Sequence, residues 1–213
     1  MTENITLPTD LNAAIGSEKK DFAVKAGRAQ PLKNSISTIL FGTAWTAFTS
    51  IFVFNFLDPL LHGEEAHFEL NGVPTIANAD DLGSMLMPAI IIVVFMLIGI
   101  SILSWGIYSL FKKGGYFVGT PIRFIHYQNG NIRSIDWEQF SGEIEFNGNA
   151  HKGNISLQMR TGRMVSRKND TDRYVPDIIH ITEISNVFEV EQICRKRIKE
   201  NDPTPPSNGH NIS

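Results

Sequence analysis

The sequence predicts an α+β membrane protein: a two-helix transmembrane hairpin followed by a small antiparallel β domain closed by a C-terminal helix. Three observations carry this expectation. Residues 35–57 and 83–111 contain no charged side chain. The segment between them, 58–83, holds six acidic groups (Asp58, Glu64, Glu65, Glu69, Asp80, Asp81) and no Lys or Arg. From Tyr116 onward, continuous apolar sequence gives way to short alternating runs separated by turn residues, the period of strands rather than of a buried helix. Whole-chain averages hide this division. At 213 residues, 19% charged and 42% apolar, with mean hydropathy −0.07, the chain resembles an ordinary soluble domain only because polar flanks dilute two apolar blocks.

A bilayer core about 30 Å thick takes about 20 residues of helix to cross. Both apolar blocks meet that length, and they place the spans at 35–57 and 84–111. In the first, Thr38, Gly42, Thr46 and Ser50 recur every four residues; in the second, Gly99 and Gly106 lie one heptad apart. Small side chains let helices approach closely in lipid, where apolar bulk gains nothing by leaving equally apolar tails. Two readings stay open: the two helices pack small face on small face, or the ridge is a docking seam for another membrane subunit. Neither span contains Asp, Glu, Lys, Arg or His. Pumps and transporters depend on such groups within the membrane, so the hairpin is expected to anchor rather than to transport. Pro88 falls near the start of the second span, where a missing N–H costs little. Trp105 and Tyr108 suit an interface, and Trp45 lies too deep for one.

Orientation follows from lysine and arginine placement. Residues 1–34 carry five basic groups, and Lys112 and Lys113 sit against the end of the second span, whereas loop 58–83 carries none. Basic flanks stay cytoplasmic. The expected arrangement is multi-pass in the cytoplasmic membrane, with both termini cytoplasmic and the acidic loop outside. Residues 1–31 hold no apolar stretch of signal-peptide length. Cys194 is the single cysteine, so no intrachain disulfide forms. The outer loop gathers His62, Glu64, Glu65, His67 and Glu69, but without an HExxH spacing or a second ligand set. A solvated acidic loop with a short hairpin at Asn71–Gly72 is the expectation, and no metal site.

After Lys113, strands are expected around 116–118, 122–127, 132–137, 143–146, 155–159, 164–165 and 178–184. Asn129–Gly130 is a strong hairpin signal. Residues 163–176 read as a long insertion-like loop. Asn186 with Glu189 three residues on reads as a capping box. It opens a helix whose apolar stripe is Val187, Val190, Cys194 and Ile198, closed by Asp202–Pro203. Residues 1–34 form an N-terminal segment, disordered over about 1–17, and 201–213 form a disordered tail.

Four patterns carry a resemblance: Thr120 with Arg123, then Ile135, Trp137 and Phe140, then the glycine-flanked run 153–157, then the closing helix 186–198. Together they resemble the bacterial pleckstrin-homology-like (PH-like) domains found next to transmembrane hairpins. The resemblance covers about residues 112–200, or those together with the hairpin. It implies a PH-like antiparallel barrel or bent sheet capped by the C-terminal helix, at the inner face of a bacterial membrane. The 163–176 loop and the acidic outer loop depart from that family's pattern.

No phosphate-binding loop, dinucleotide fingerprint, nucleophile elbow, CxxC or EF-hand spacing occurs. The expectation is therefore a non-enzyme without cofactor, metal or small-molecule substrate. Cys194 faces a helix's apolar stripe and reads as a buried structural thiol. His126 and His180 read as packed or hydrogen-bonded within strands. The candidate binding residues are Arg160, Arg163, Arg167, Lys168 and Arg173, with Thr161–Gly162 read as a turn that lets Arg160 and Arg163 project together. Near a membrane each basic group adds about 1 kcal/mol of attraction to anionic headgroups. The same residues also read as a solvated loop balanced by Asp170, Asp172 and Asp177. Nucleic acid is not expected, because 112–213 hold fourteen basic against twelve acidic groups and no basic stripe with stacking aromatics. Two functional classes follow. One is a membrane-anchored module binding a protein partner, a second copy or inner-leaflet lipids. The other is a signalling or assembly subunit that senses through its outer loop.

Overall fold

The computed structural model describes residues 5–58, 62, 65–70, 72–77, 82–149, 152–167 and 170–203. The chain forms two compact units. One is Leu32–Phe111; the other combines Met1–Pro31 with Lys112–Ser213.

The first unit is a helical hairpin. Helix α2 (Leu32–Phe52) runs on into a π-helical turn, Val53–Leu57, and α3 (Leu82–Phe111) returns antiparallel to it. Both are long and apolar enough to cross a membrane. Glycines bring the two backbones together. A Cβ on Gly42 would stand 2.8 Å from the Leu103 nitrogen, one on Gly99 2.7 Å from Thr46 Oγ1, and one on Gly106 2.8 Å from the Ile39 side chain. The polar groups are satisfied within the pair. Trp45 Nε1–H donates to the Phe95 carbonyl at 3.0 Å while its ring stacks on Phe95, and Ser109 donates to Ser35 at 2.8 Å. The Thr38, Thr46 and Ser50 hydroxyls donate to the carbonyls of Asn34, Gly42 and Thr46, four residues back on their own helix. Between the helices lie β2 (Ala66–Leu70) and β3 (Val73–Ala77), paired antiparallel next to Gly72, whose φ is +80°.

The second unit begins before the hairpin and resumes after it. This corrects the expectation of a separate, partly disordered segment at 1–34. Residues Thr9–Ile15 form helix α1, and β1 (Phe22–Lys25) pairs antiparallel with β4 (Tyr116–Gly119). The physical reason is burial on both sides of one sheet. Phe22 and Val24 alternate inward as an edge strand, while Leu11 and Ile15 lie four apart on one side of α1 and Leu7 packs just ahead of it. Neither signal spans enough residues to stand out in the sequence. Beyond β4 come β5 (Arg123–Gln128) and β6 (Asn131–Asp136), giving a four-stranded sheet of order β1-β4-β5-β6. Its turn at Asn129–Gly130 has positive φ at both residues.

A 3-10 turn at Trp137–Gln139 leads into a second, three-stranded antiparallel sheet: β7 (Phe140–Gly148), β8 (Lys152–Arg167) and β9 (Asp170–Ser185). Helix α4 (Val187–Glu200) closes the unit. The main core lies between the sheets and α4. Trp137, fully buried with its indole N–H on the Thr120 carbonyl at 2.8 Å, sits among Phe124, Phe140, Leu157 and Ile181, and Val187, Val190, Cys194 and Ile198 seal it. A separate cluster on the outer face of the first sheet consists of Leu7, Leu11 and Ile15 against Val118 and Ile125. Arg197 of α4 makes a bidentate pair with Asp21 at 2.7 and 2.9 Å, tying the N-terminal segment to the last helix.

Two further expectations are corrected. Residues 163–167 and 170–176 are the paired distal parts of β8 and β9 rather than an insertion-like loop; 168–169 lie outside the described residues. Asn186 starts α4 in the left-handed conformation (φ +53°) with no side-chain capping bond, so the Asn186 half of the expected capping box does not form.

Candidate functional site

The feature of the β unit that reaches beyond its core is the β8–β9 hairpin. Strand β7 accompanies β8 only from Gly153 to Met159. Past that point β8 and β9 pair with each other alone, through Gly162↔Pro176, Arg163↔Val175, Met164↔Tyr174 and Val165↔Arg173. The distal half is thus a two-stranded arm with both edges unpaired among the described residues.

Thr161–Gly162 is not a turn. The pairing shifts register between Gln158 and Gly162 and the strand then continues. Gly162 is needed because a Cβ there would stand 2.5 Å from the Val175 carbonyl oxygen and 2.7 Å from the Tyr174 ring that lies across it. The Tyr174 hydroxyl reaches on to donate to the Arg160 carbonyl at 2.7 Å. Thr161 donates to Asp177 at 3.0 Å on the opposite face.

The five basic residues therefore do not form one projecting cluster. Arg160 is turned back to the body: its Nε bonds the carbonyls of Glu138 and Phe140 at 3.0 and 3.1 Å, and its Nη2 pairs with Asp202 at 2.8 Å. Arg163 and Arg173 are exposed and share one face of the arm, where Val165 and Val175 lie between them across the ladder. The Arg167 backbone pairs with Asp170, and Lys168 lies outside the described residues. Sequence reading missed the apolar content of the arm. Met164 (61% exposed) and Tyr174 (47%) form a cross-strand pair on one face, which Pro176 and Ile178 extend toward the body; Val165 and Val175 occupy the other. Met164–Val165 reads as a short strand in the sequence, but Tyr174–Val175 falls within the stretch that reads as a loop, so the pairing of the two goes unseen.

Thr120 and Arg123 have clear structural work. The Thr120 hydroxyl accepts the Arg123 N–H at 3.1 Å and closes the β4–β5 turn. The Arg123 guanidinium crosses to the N-terminal segment, donating to the Ala14 carbonyl at 3.1 Å and pairing with Glu18. Hydrogen bonding from Arg123 first, and from Thr120 second, holds the Glu18 carboxyl below the usual range.

Other chemistry-bearing residues are dispersed. Ser156 and His180 hydrogen-bond at 3.0 Å on the outer face of the second sheet, where Glu145 pairs with Ser156; burial lowers the His180 pKa. His126 stacks on Phe117 at 4.3 Å, and burial, then the nearby Arg133 charge, lowers its pKa. Cys194 is fully buried, and desolvation pushes its thiol upward, away from the reactive thiolate. No group of three or more His, Cys, Asp or Glu gathers among the described residues. Of the outer-loop residues, His62 bonds the Asp58 carbonyl and His67 lies in β2, while Glu64, Asp80 and Asp81 fall outside the described residues. In the helical unit, Gly42, Thr46, Gly99 and Gly106 lie at the α2–α3 contact. A cavity of about 160 Å³ is lined there by Phe48, Thr49, Phe52, Ile91, Ile92 and Phe95.

Comparison with protein-family models, with curated proteins and with solved structures finds no match to this chain.

Proposed function

We propose that this protein is a membrane-anchored, non-catalytic module of PH-like build that binds a protein partner through the β8–β9 arm. The helical pair is the anchor in the cytoplasmic membrane, and the lysines at 112–113 put the β unit and both termini on the cytoplasmic side. Four strands, then three, then a closing helix support the PH-like build.

The observation that carries the reading is the arm. A two-stranded ribbon is marginal in water by itself, and this one presents apolar side chains on both faces, Met164 with Tyr174 and Val165 with Val175. It also offers two open strand edges, the geometry of strand addition by a partner. A flat lipid surface would engage one face only. It would also draw on a continuous cationic patch, and Arg160 is already committed to the body of the domain. Arg163 and Arg173 then set orientation and partner choice more than affinity.

Site-specific photocrosslinking from position 164 in intact membranes tests this. A discrete protein adduct is expected, lost on Arg163→Glu with Arg173→Glu. Adducts to lipid alone, or none, would remove the protein-binding role.

A further inference from the structure

The first sheet has an outer face that the main core does not use. It carries Ala23, Val118 and Ile125, bounded by Tyr116 and Tyr127, with Lys25 over the Tyr116 ring and Arg123 at the far end. In this structure the chain covers it with its own N-terminal segment.

Four observations make that segment separable from the domain it covers. The cluster formed by Leu7, Leu11 and Ile15 on Val118 and Ile125 shares no residue with the main core, so lifting the segment leaves the main core closed. Helix α1 has seven residues and no side-chain cap, far too short to persist without the face beneath it. The linker to β1, residues 16–21, is polar and starts at Gly16 with φ +60°, so α1 can leave without withdrawing β1. The polar attachment of α1 is concentrated on Arg123, and its partner is incompletely satisfied: Glu18 Oε2 is buried with no hydrogen-bond partner.

We propose that this sheet face is a docking surface for an amphipathic helix, and that residues 5–18 occupy it in cis as an autoinhibitory ligand. The seated segment specifies the chemistry of the competing partner. It is a segment with one aliphatic side chain just ahead of a short helix and two more at i and i+4 within it, matching Leu7, Leu11 and Ile15. A carboxylate three residues past the helix, matching Glu18, meets the Arg123 guanidinium. Charge complementarity at Arg123 sets the direction of docking, and the aliphatic ridge fills the space over Val118 and Ile125. Such a partner gains access when α1 lifts, so its apparent affinity is reduced by the fraction of molecules whose own segment is seated.

The test uses the purified full-length chain and a fluorescent peptide corresponding to residues 5–21. Leu11→Asp empties the face; the peptide is expected to bind this variant saturably and at least tenfold more tightly than the unaltered chain. Adding Arg123→Ala, or using a peptide with Glu18→Lys, is expected to weaken binding about tenfold. Failure of the peptide to bind a folded Leu11→Asp chain, with the near-ultraviolet signal of Trp137 intact, overturns the proposal. Should Leu11→Asp unfold the domain, hydrogen exchange on the unaltered chain decides. Amides of 9–15 exchanging at least 100-fold faster than those of 155–159 support a liftable segment, and equal protection overturns it. Neither readout depends on the arm, so this inference and the arm's binding role fail separately.

Discussion

The two halves of the β8–β9 hairpin are made of the same two strands and behave as different materials. Near the body, Ile155 and Leu157 face Ile181 and Ile179 across the ladder, Met159 faces Phe140 of β7, and α4 packs against the other elements of the core. Beyond residue 160 the ladder continues while the burial stops, and Met164, Val165, Tyr174 and Val175 stand open. Strand pairing by itself is therefore no measure of packing. The proximal half is held by area removed from water. The distal half is held by local devices: Tyr174 over Gly162, Thr161 on Asp177, and Arg160 fastened to the Phe140 carbonyl. Apolar side chains left outside the proximal packing are available to a partner.

Three substitutions break or sharpen this contrast. Leu157→Ala cuts a fully buried side chain from the proximal half and is expected to cost about 2–5 kcal/mol in denaturant unfolding. Tyr174→Ala removes the ring across Gly162 and its hydrogen bond to Arg160. About 1 kcal/mol of global stability should go, with amide protection falling selectively over 160–176 and staying intact at 155–159. Val175→Ala alters an exposed apolar position on the arm. It should change stability by less than about 0.5 kcal/mol while weakening partner binding. A large stability loss at Val175 would place the arm inside the cooperative core and erase the distinction between the halves.

Much of the architecture was legible in the sequence, for a physical reason. Long uninterrupted apolar blocks and a helix with Val187, Val190, Cys194 and Ile198 in register are signals integrated over many residues. Gly42, Gly99 and Gly106 were readable because small residues spaced along long apolar helices mark where two backbones can approach closely. What escaped was non-local or brief. Phe22 and Val24 make two inward positions of an edge strand, whose partner is almost a hundred residues away. Leu7, Leu11 and Ile15 are three side chains in a polar stretch, meaningful only against Val118 and Ile125. Thr161–Gly162 looked like a turn because glycine ordinarily signals one; here the glycine makes room for the Val175 carbonyl and the Tyr174 ring on the facing strand. Arg160 looked available because nothing local announces that the Glu138 and Phe140 carbonyls and Asp202 will converge on it.

The placement of β1 ahead of the helices has a consequence for biogenesis. A ribosome delivers residues 22–25 first, then some eighty residues of helical hairpin, and only afterwards the strand against which they pair. Until Tyr116–Gly119 emerges, the early strand has no native neighbour, and the nascent chain must keep Phe22 and Val24 out of competing contacts. A fragment starting at residue 112 can never complete its first sheet. Full-length synthesis, in order, is thus the natural route to a finished domain.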